Sequence, residues 1–286
     1  MRREVADIDL RAMSTRVSRR ARMAIEFYDR RQRGILLVHG YNVNEEEAVR
    51  VLGGFRTALA YFAPALRPDT FTCTWAGNWN IPGLRPAAYP FMLRNANESA
   101  DTLLGTIEDW YERPFAPEEL VIVAHSLGCR LTLDMLATME VQGRPVRLKR
   151  LTVILMAAAV PTAHIAGGGK LERALRVPDV AVVLHSQSDS VLSSVFGLGQ
   201  TIARDGWFPE AVGLRGNPQG AHWSRTQKMP AFDHGDYWGE LETAELVCRI
   251  LGFSISGFAS GVPLAARKLL AQHRGILSSV LPPHRS

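Results

Sequence analysis

The segment that decides the fold is residues 121–128, with the sequence VIVAHSLG. A short apolar run bounded by turn residues is typical of a strand buried on both faces. From Leu127 the spacing of apolar residues becomes helical and predicts a helix to Glu140. Ser126 therefore lies on a sharp turn between a strand and a helix, the context of the G-x-S-x-G motif. Ala124 replaces the first glycine of that motif, a mild departure.

A serine on such a turn is a candidate nucleophile. The turn raises Ser126 above the sheet, and the N-terminus of the following helix points at it, which favours a developing negative charge. The alternative is that Ser126 is an ordinary helix N-cap, a common role for serine. Small-x-Ser-x-Gly is frequent by chance, so the position between strand and helix carries the catalytic interpretation.

The remaining sequence alternates apolar segments with amphipathic ones, separated by a loop at 76–94 and an irregular, Gly- and Pro-rich stretch at 197–233. This alternation predicts βαβ units in a mainly parallel, twisted sheet with helices on both faces. Reactive groups in such sheets gather beyond the carboxyl ends of the strands. The predicted strands are 35–38, 70–75, 120–124, 151–157 and 180–185, and the predicted helices are 45–62, 96–111, 127–140 and 240–251.

Composition and charge indicate how the chain is divided into parts. The 286 residues are 47 % apolar and 21 % charged, which excludes a wholly disordered chain. We predict a basic helical extension over 1–33, an α/β domain over 34–252 and a basic amphipathic tail over 253–286. The net charge of +5 is interpreted as solvated basic helices, without a nucleic acid partner. Contact of the two basic termini with a membrane surface stays open as an alternative.

Metal and cofactor motifs are missing from the sequence. Three scattered cysteines without CxxC argue against a disulfide framework and a zinc site, and HExxH and GxGxxG are absent. The Gly-rich stretch 167–170 lacks the phosphate-loop pattern, because His164 stands where glycine is needed and Leu171 follows the lysine. We therefore expect no cofactor and no metal. The cysteine usage, with no apolar signal segment at the N-terminus, favours a cytoplasmic location.

A second turn follows the first predicted strand of the α/β domain, at residues 39–42, with the sequence HGYN. An oxyanion hole uses the backbone N–H of the residue after the nucleophile and one N–H from a loop after an earlier strand. Leu127 would supply the first donor and Tyr41 the second, with Gly40 permitting the turn. The alternative is that His39 and Gly40 form only a strand-to-loop turn.

Together, these segments resemble the α/β-hydrolase superfamily, and most closely an uncharacterised bacterial branch of it. The resemblance covers about residues 34–252 and implies an α/β-hydrolase fold with the chain order nucleophile, acid, histidine. The matching segments are residues 36–42, Trp75, and residues 89–100, 124–128 and 234–238.

The acid and the base are sought after later strands. Asp189 follows the strand predicted at 180–185 and is the expected acid, although a turn or helix-cap role is the alternative. Asp205 is a weaker candidate. His234 lies just before the last predicted helix and is the expected base, with His222 as its competitor. The branch's His-Ser-Tyr-Phe segment reads His-Gly-Asp-Tyr-Trp here, one residue longer.

These residues and the resemblance predict a serine hydrolase that cleaves a carboxylic ester or thioester through an acyl-enzyme. His234 would take the proton of Ser126, and Asp189 would orient the imidazole. Acyl transfer by the same triad is one alternative, and a non-catalytic interaction protein on a hydrolase scaffold is the other.

The expected partner is a small acyl substrate. Aromatic residues around the loop at 76–94 are expected to form a wall for its acyl group, although loop anchoring is the alternative. The aromatic residues assigned to this wall are Trp75, Trp79 and Tyr89.

Overall fold

The computed structural model describes residues 7–10, 33–41, 43, 45–77, 85–114 and 116–255. Its strands are β1 (Asp7–Asp9), β2 (Arg33–Val38), β3 (Thr70–Thr74), β4 (Glu119–His125), β5 (Arg150–Met156), β6 (Val180–His185) and β7 (Arg225–Lys228). In the described residues these seven strands form one sheet in the order β1-β3-β2-β4-β5-β6-β7, and every neighbouring pair is parallel.

From β2 onward, helices connect the strands, as is usual in a parallel sheet. They are α1 (Glu45–Phe62), α2 (Arg85–Tyr111), α3 (Leu127–Gln142), α4 (Thr162–Ile165), α5 (Ser190–Ser194), α6 (Phe196–Ile202), α7 (Val212–Arg215), α8 (Asp236–Gly239) and α9 (Leu241–Ile250). None of the helices in the described ranges is long and apolar enough to cross a membrane.

The strands are apolar on both faces because each face supports a core. In β2, Ile35 and Leu37 pack with α1 and α9, whereas Leu36 and Val38 pack with α2 and α3. This confirms the predicted parallel sheet with helices on both faces. The five strands expected from the sequence, now β2 to β6, agree with the structure to within two residues at each end.

The two outer strands correct the sequence analysis. Residues 7–9 were expected to be helical, but they form β1, which pairs with β3 and buries Ile8 and Leu10. The alternation of two buried residues is too short to stand out in a polar, arginine-rich stretch. The other predicted features of the extension, at 1–6 and 11–32, lie outside the described residues, as does the tail from 256 to 286.

β7 was missed because its sequence, RTQK, is polar and mostly exposed, as suits an edge strand. It lies in the stretch 197–233 that was expected to be irregular, together with α7 and most of α6. The loop predicted at 76–94 is also shorter than expected, because α2 already begins at Arg85.

The sheet topology places a crevice between β2 and β4. From β2 the chain continues through α1 to β3 on one side, and from β4 it continues through α3 to β5 on the other. The carboxyl ends of β2 and β4 therefore flank a topological switch point, where ligands bind in open α/β sheets. His39 follows β2 at this point and Ser126 follows β4.

Candidate active site

Ser126 has a strained backbone on the turn between β4 and α3, with φ 55° and ψ −124°. A positive φ is uncommon for a residue with a side chain. The Ser126 N–H donates to the carbonyl oxygen of Met156 at 3.0 Å, and the Ser126 carbonyl accepts from the N–H groups of Cys129 (3.1 Å) and Ala159 (3.2 Å). Hydrogen bonds to α3 and to the end of β5 thus hold the turn in place.

Ser126, His234 and Asp189 form one hydrogen-bonded chain. The Ser126 Oγ lies 2.8 Å from the His234 Nε2, and the His234 Nδ1 lies 2.8 Å from the Asp189 Oδ2. A carboxylate can only accept, so Nδ1 carries the proton and Nε2 is left to accept the serine O–H. Ser126 is only 4 % exposed and Asp189 is fully buried, whereas the side chain of His234 between them is 14 % exposed.

Asp189 serves two hydrogen bonds with its two oxygens. It is the N-cap of α5, where its Oδ1 accepts from the Leu192 N–H at 2.8 Å, while its Oδ2 contacts His234. The helix cap considered as an alternative from the sequence and the contact with the histidine therefore occur together. The cap fixes the carboxylate plane and so directs the second oxygen at the imidazole.

The turn after β2 is organised by His39, a residue whose part the sequence analysis did not foresee. Its Nδ1 donates to the Gly40 carbonyl at 2.8 Å, and its Nε2 accepts the Trp75 backbone N–H at 3.1 Å. The Trp75 indole donates to the His39 carbonyl at 2.9 Å and stacks on its ring. These contacts fix the turn, and only the motif HG directly after a strand hinted at them.

Two glycines let this turn approach Ser126. A Cβ on Gly40 would lie 2.7 Å from the Ser126 Cβ, and one on Gly128 would lie 2.3 Å from the His39 carbonyl oxygen. Both contacts are too short for any other residue. Tyr41 directly follows Gly40 and Leu127 directly follows Ser126, so the residues predicted to supply the oxyanion donors lie on two adjacent segments.

The predicted aromatic wall needs correction. Trp75 is completely buried and its indole N–H is bonded to His39, so it packs beneath the turn and offers no open surface. Tyr89 is also buried. Its hydroxyl accepts from the Gln200 amide at 2.9 Å, its ring edge contacts Tyr41, and burial raises its pKa. Trp79, the third member, lies outside the described residues.

The competing histidine lies elsewhere. The His222 side chain is 60 % exposed, and its Nε2 lies 3.6 Å from the Glu172 carboxylate. The structure therefore brings His234, and not His222, to the candidate nucleophile.

The competing acid, Asp205, belongs to a separate group that we call the ion cluster: Arg130, Asp134, His164, Lys170 and Asp205. Arg130 bonds Asp134 with its Nε and Asp205 with its Nη1, the latter at 2.7 Å, and Lys170 contacts Asp205 as well. Burial alone would raise the pKa of Asp205, but the two cations lower it overall. Asp205 is thus an ionised partner of cations and not the acid of the site.

Metal ligands do not gather at the site. Among the described residues, no group of three or more His, Cys, Asp or Glu side chains is arranged to hold a metal ion.

The fold, with a serine on the turn after β4, is that of an α/β-hydrolase, and the predicted resemblance to this superfamily is confirmed. More particularly, the chain belongs to the family described as "Alpha/beta hydrolase of unknown function (DUF900)", whose model matches residues 16–213. That range includes Ser126 and Asp189 and ends before His234.

The solved structures to which this chain is similar share little sequence with it. An uncharacterized protein from Bacillus cereus is 14 % identical, with a TM-score of 0.45, 83 % of this chain covered and 64 % of that one. Esterase B from Lactobacillus rhamnosis is 13 % identical (TM-score 0.44, coverage 88 % and 80 %), and SOBER1 from Arabidopsis thaliana is 12 % identical (0.41, 85 % and 99 %). This chain therefore spans less than two thirds of the Bacillus cereus protein. Among curated proteins, none matches.

Proposed function

We propose that this protein is a serine hydrolase that cleaves a carboxylic ester or thioester of a small acyl substrate through an acyl-enzyme. The observation that carries the proposal is the chain from Ser126 through His234 to Asp189, with both links at 2.8 Å. The unusual backbone of Ser126 adds support, because strain of this kind persists where the surrounding structure requires it.

In the proposed mechanism the Ser126 Oγ attacks the acyl carbon while its proton passes to the His234 Nε2. The carbonyl π electrons move to oxygen and form an oxyanion, which the N–H groups of Tyr41 and Leu127 would bind. One such donor is worth about 3–4 kcal/mol. Asp189 stabilises the positive imidazolium and keeps the proton on Nδ1.

The intermediate then collapses. The bond to the leaving alcohol or thiol breaks, the leaving group takes the proton from His234, and the acyl group stays on Ser126. A water molecule gives its proton to His234 and attacks the acyl carbon. Collapse of this second intermediate returns the proton to the Ser126 Oγ and releases the carboxylic acid.

The test is labelling of the folded full-length chain with a fluorophosphonate probe, followed by peptide mass mapping. We expect one adduct, on Ser126, in the wild type and in the control variant His222→Ala. Ser126→Ala should carry no adduct, and His234→Ala should lose it because the serine is no longer activated. Absence of an adduct from folded wild-type protein would favour the non-catalytic scaffold, and labelling of His234→Ala at the wild-type rate would reject His234 as the base.

A further inference from the structure

The backbone of His234 is held as firmly as its ring. Its N–H donates to the Asp233 Oδ1 at 2.8 Å, and its carbonyl oxygen lies 2.8 Å from the His125 Nε2. A carbonyl only accepts, so His125 carries a proton on Nε2 and is the donor. Together with the ring contacts to Ser126 and Asp189, this fixes His234 at four points.

These additional bonds come from the residues next to the triad in the sequence. His125 precedes Ser126, Asp233 precedes His234, and Ser190 follows Asp189. The Asp233 Oδ1 also accepts from the Ser190 N–H at 2.9 Å and from the Ser190 Oγ at 2.8 Å. The contact between Ser126 and His234 is thus accompanied by the bond from His125 to the His234 carbonyl. The contact between His234 and Asp189 is accompanied by the bonds from Ser190 to Asp233.

His125 is suited to be a fixed donor. It is only 7 % exposed, and its ring packs against His234, Tyr237 and Trp238 with centroids 4.9–6.0 Å apart. Burial, reinforced by the charge that His234 can carry, lowers the pKa of His125 well below its usual range. The imidazole therefore stays neutral and keeps one tautomer.

Asp233 is suited to be a fixed acceptor. Burial alone would raise its pKa, but the bonds from the Ser190 backbone and hydroxyl and from the His234 N–H lower it overall. Its ionised carboxylate therefore ties the loop that carries the histidine to the start of α5, directly beside Asp189.

We propose that His125 and Asp233 are positioning residues, which form a backbone clamp on His234 and set the distance between its imidazole and the Ser126 hydroxyl. The inference rests on the proposed function. Proton transfer demands placement within about 0.5 Å, and a displacement of about 1 Å can cost about 100-fold in rate. Two ring contacts leave the imidazole able to rock about its Cα, whereas the clamp fixes the backbone from which the ring projects.

The first test compares His125→Met with His125→Gln in the full-length chain. The two replacements are similar in size, but only glutamine carries an N–H near the position of the imidazole Nε2. We expect His125→Met to lower kcat on a p-nitrophenyl ester and the fluorophosphonate labelling rate by about 10- to 100-fold, with KM little changed. His125→Gln should recover most of that loss.

The stoichiometry of labelling separates misplacement from unfolding. A clamp variant should still be labelled to completion on Ser126, only more slowly, whereas a merely structural defect would lower the labelled fraction and leave the rate of the folded remainder unchanged. If His125→Met does not fold, Asp233→Ala and Asp233→Asn supply the same comparison, because asparagine keeps an acceptor oxygen and alanine does not.

The outcomes separate the two proposals. Unlabelled wild-type protein would reject the proposed function. Labelled wild type with His125→Met reacting at the same rate would reject the clamp and leave the function standing. The clamp would also be rejected if methionine and glutamine slowed the reaction equally, because the loss would then not depend on the hydrogen-bond donor.

Discussion

One group of acid and histidine side chains lies at Ser126, where α3 begins, and another surrounds Arg130 of α3, and the two groups differ in what the acid contacts. In the candidate triad, the Asp189 carboxylate accepts from the Leu192 N–H and the His234 ring. In the ion cluster, the Asp205 carboxylate is bound by Arg130 and Lys170, and the nearest nitrogen of His164 is 3.8 Å away.

The different contacts of the two acids are accompanied by different roles for the two histidines. Burial lowers the pKa of His164 to about 4 despite the nearby Asp205 carboxylate, and the charges of Lys170 and Arg130 add to the lowering, so His164 is neutral and a weak base. His234 instead directs one nitrogen at a carboxylate and the other at a serine hydroxyl. The same residue types thus give a candidate general base in one place and a structural contact in the other, because burial, reinforced by the two cations, keeps His164 neutral.

The largest effect is expected from removing the proposed nucleophile. Ser126→Ala should lower ester turnover by about 10⁶-fold, because the members of a triad act as a unit. The thermal unfolding temperature should change little, since alanine keeps the backbone contacts of the turn. Residual turnover close to wild type, measured with a p-nitrophenyl ester after purification to constant specific activity, would show that Ser126 is not the nucleophile.

Replacing the two acids tests the comparison directly. Asp189→Asn keeps the cap on α5 but no longer fixes the tautomer of His234, so turnover should fall by about 10²- to 10⁴-fold. Asp205→Asn, the matched control, should leave most of the turnover and lower the free energy of unfolding. If Asp205→Asn were the more damaging variant for kcat, the assignment of the acid would be wrong.

The sequence was informative where burial is complete. β4 and its turn are continuous apolar sequence followed by Ser126, so the strand, the helix and the candidate nucleophile could be predicted together. Asp189 and His234 followed from their positions after later strands and from the chain order of the resembled superfamily. The edge strands β1 and β7 bury only one face or little at all, so their sequences carried no comparable signal.

Contacts between distant segments were beyond the sequence. The sequence pattern does not indicate that the His125 side chain bonds to the backbone carbonyl of His234. It also does not indicate that His39 fixes the turn after β2. Trp75 was misassigned to an open wall because an aromatic residue at a strand end can face either a pocket or the core. Its complete burial and the bond from its indole to the His39 carbonyl show that it faces the core.

After the effects expected on turnover, the next largest expected effect is a loss of stability when Arg130 is replaced. Arg130→Met should lower the free energy of unfolding by up to about 3–5 kcal/mol, since it leaves the largely buried Asp134 carboxylate without its ion-pair partner. Arg94→Met is the matched control, because Arg94 and Glu98 are both exposed and such pairs are worth about 0.5 kcal/mol. Urea denaturation measures both, and equal losses would show that the ion cluster stabilises no more than a surface pair.

The smallest expected effect is the pH dependence of stability that His164 causes. His164 has a pKa near 6.5 in the unfolded chain and about 4 in the folded one, so between these values the unfolded state binds more protons. Protonation of His164 in the unfolded chain therefore does not weaken the fold above pH 6.5. As the pH falls toward 4, it lowers the free energy of unfolding by at most about 3 kcal/mol.

His164→Asn keeps an acceptor near the Nδ1 that faces Arg130 and removes this titration. Burial also lowers the pKa values of His125 and His185, and both remain in the variant, so the wild type and the variant should both weaken in acid. The wild type should weaken more, and the difference between the two urea unfolding curves, measured from pH 7.5 to 4.5, isolates His164. Parallel dependence on pH would mean that burial in the ion cluster does not keep His164 neutral, and the contrast between its histidine and that of the candidate triad would then be wrong.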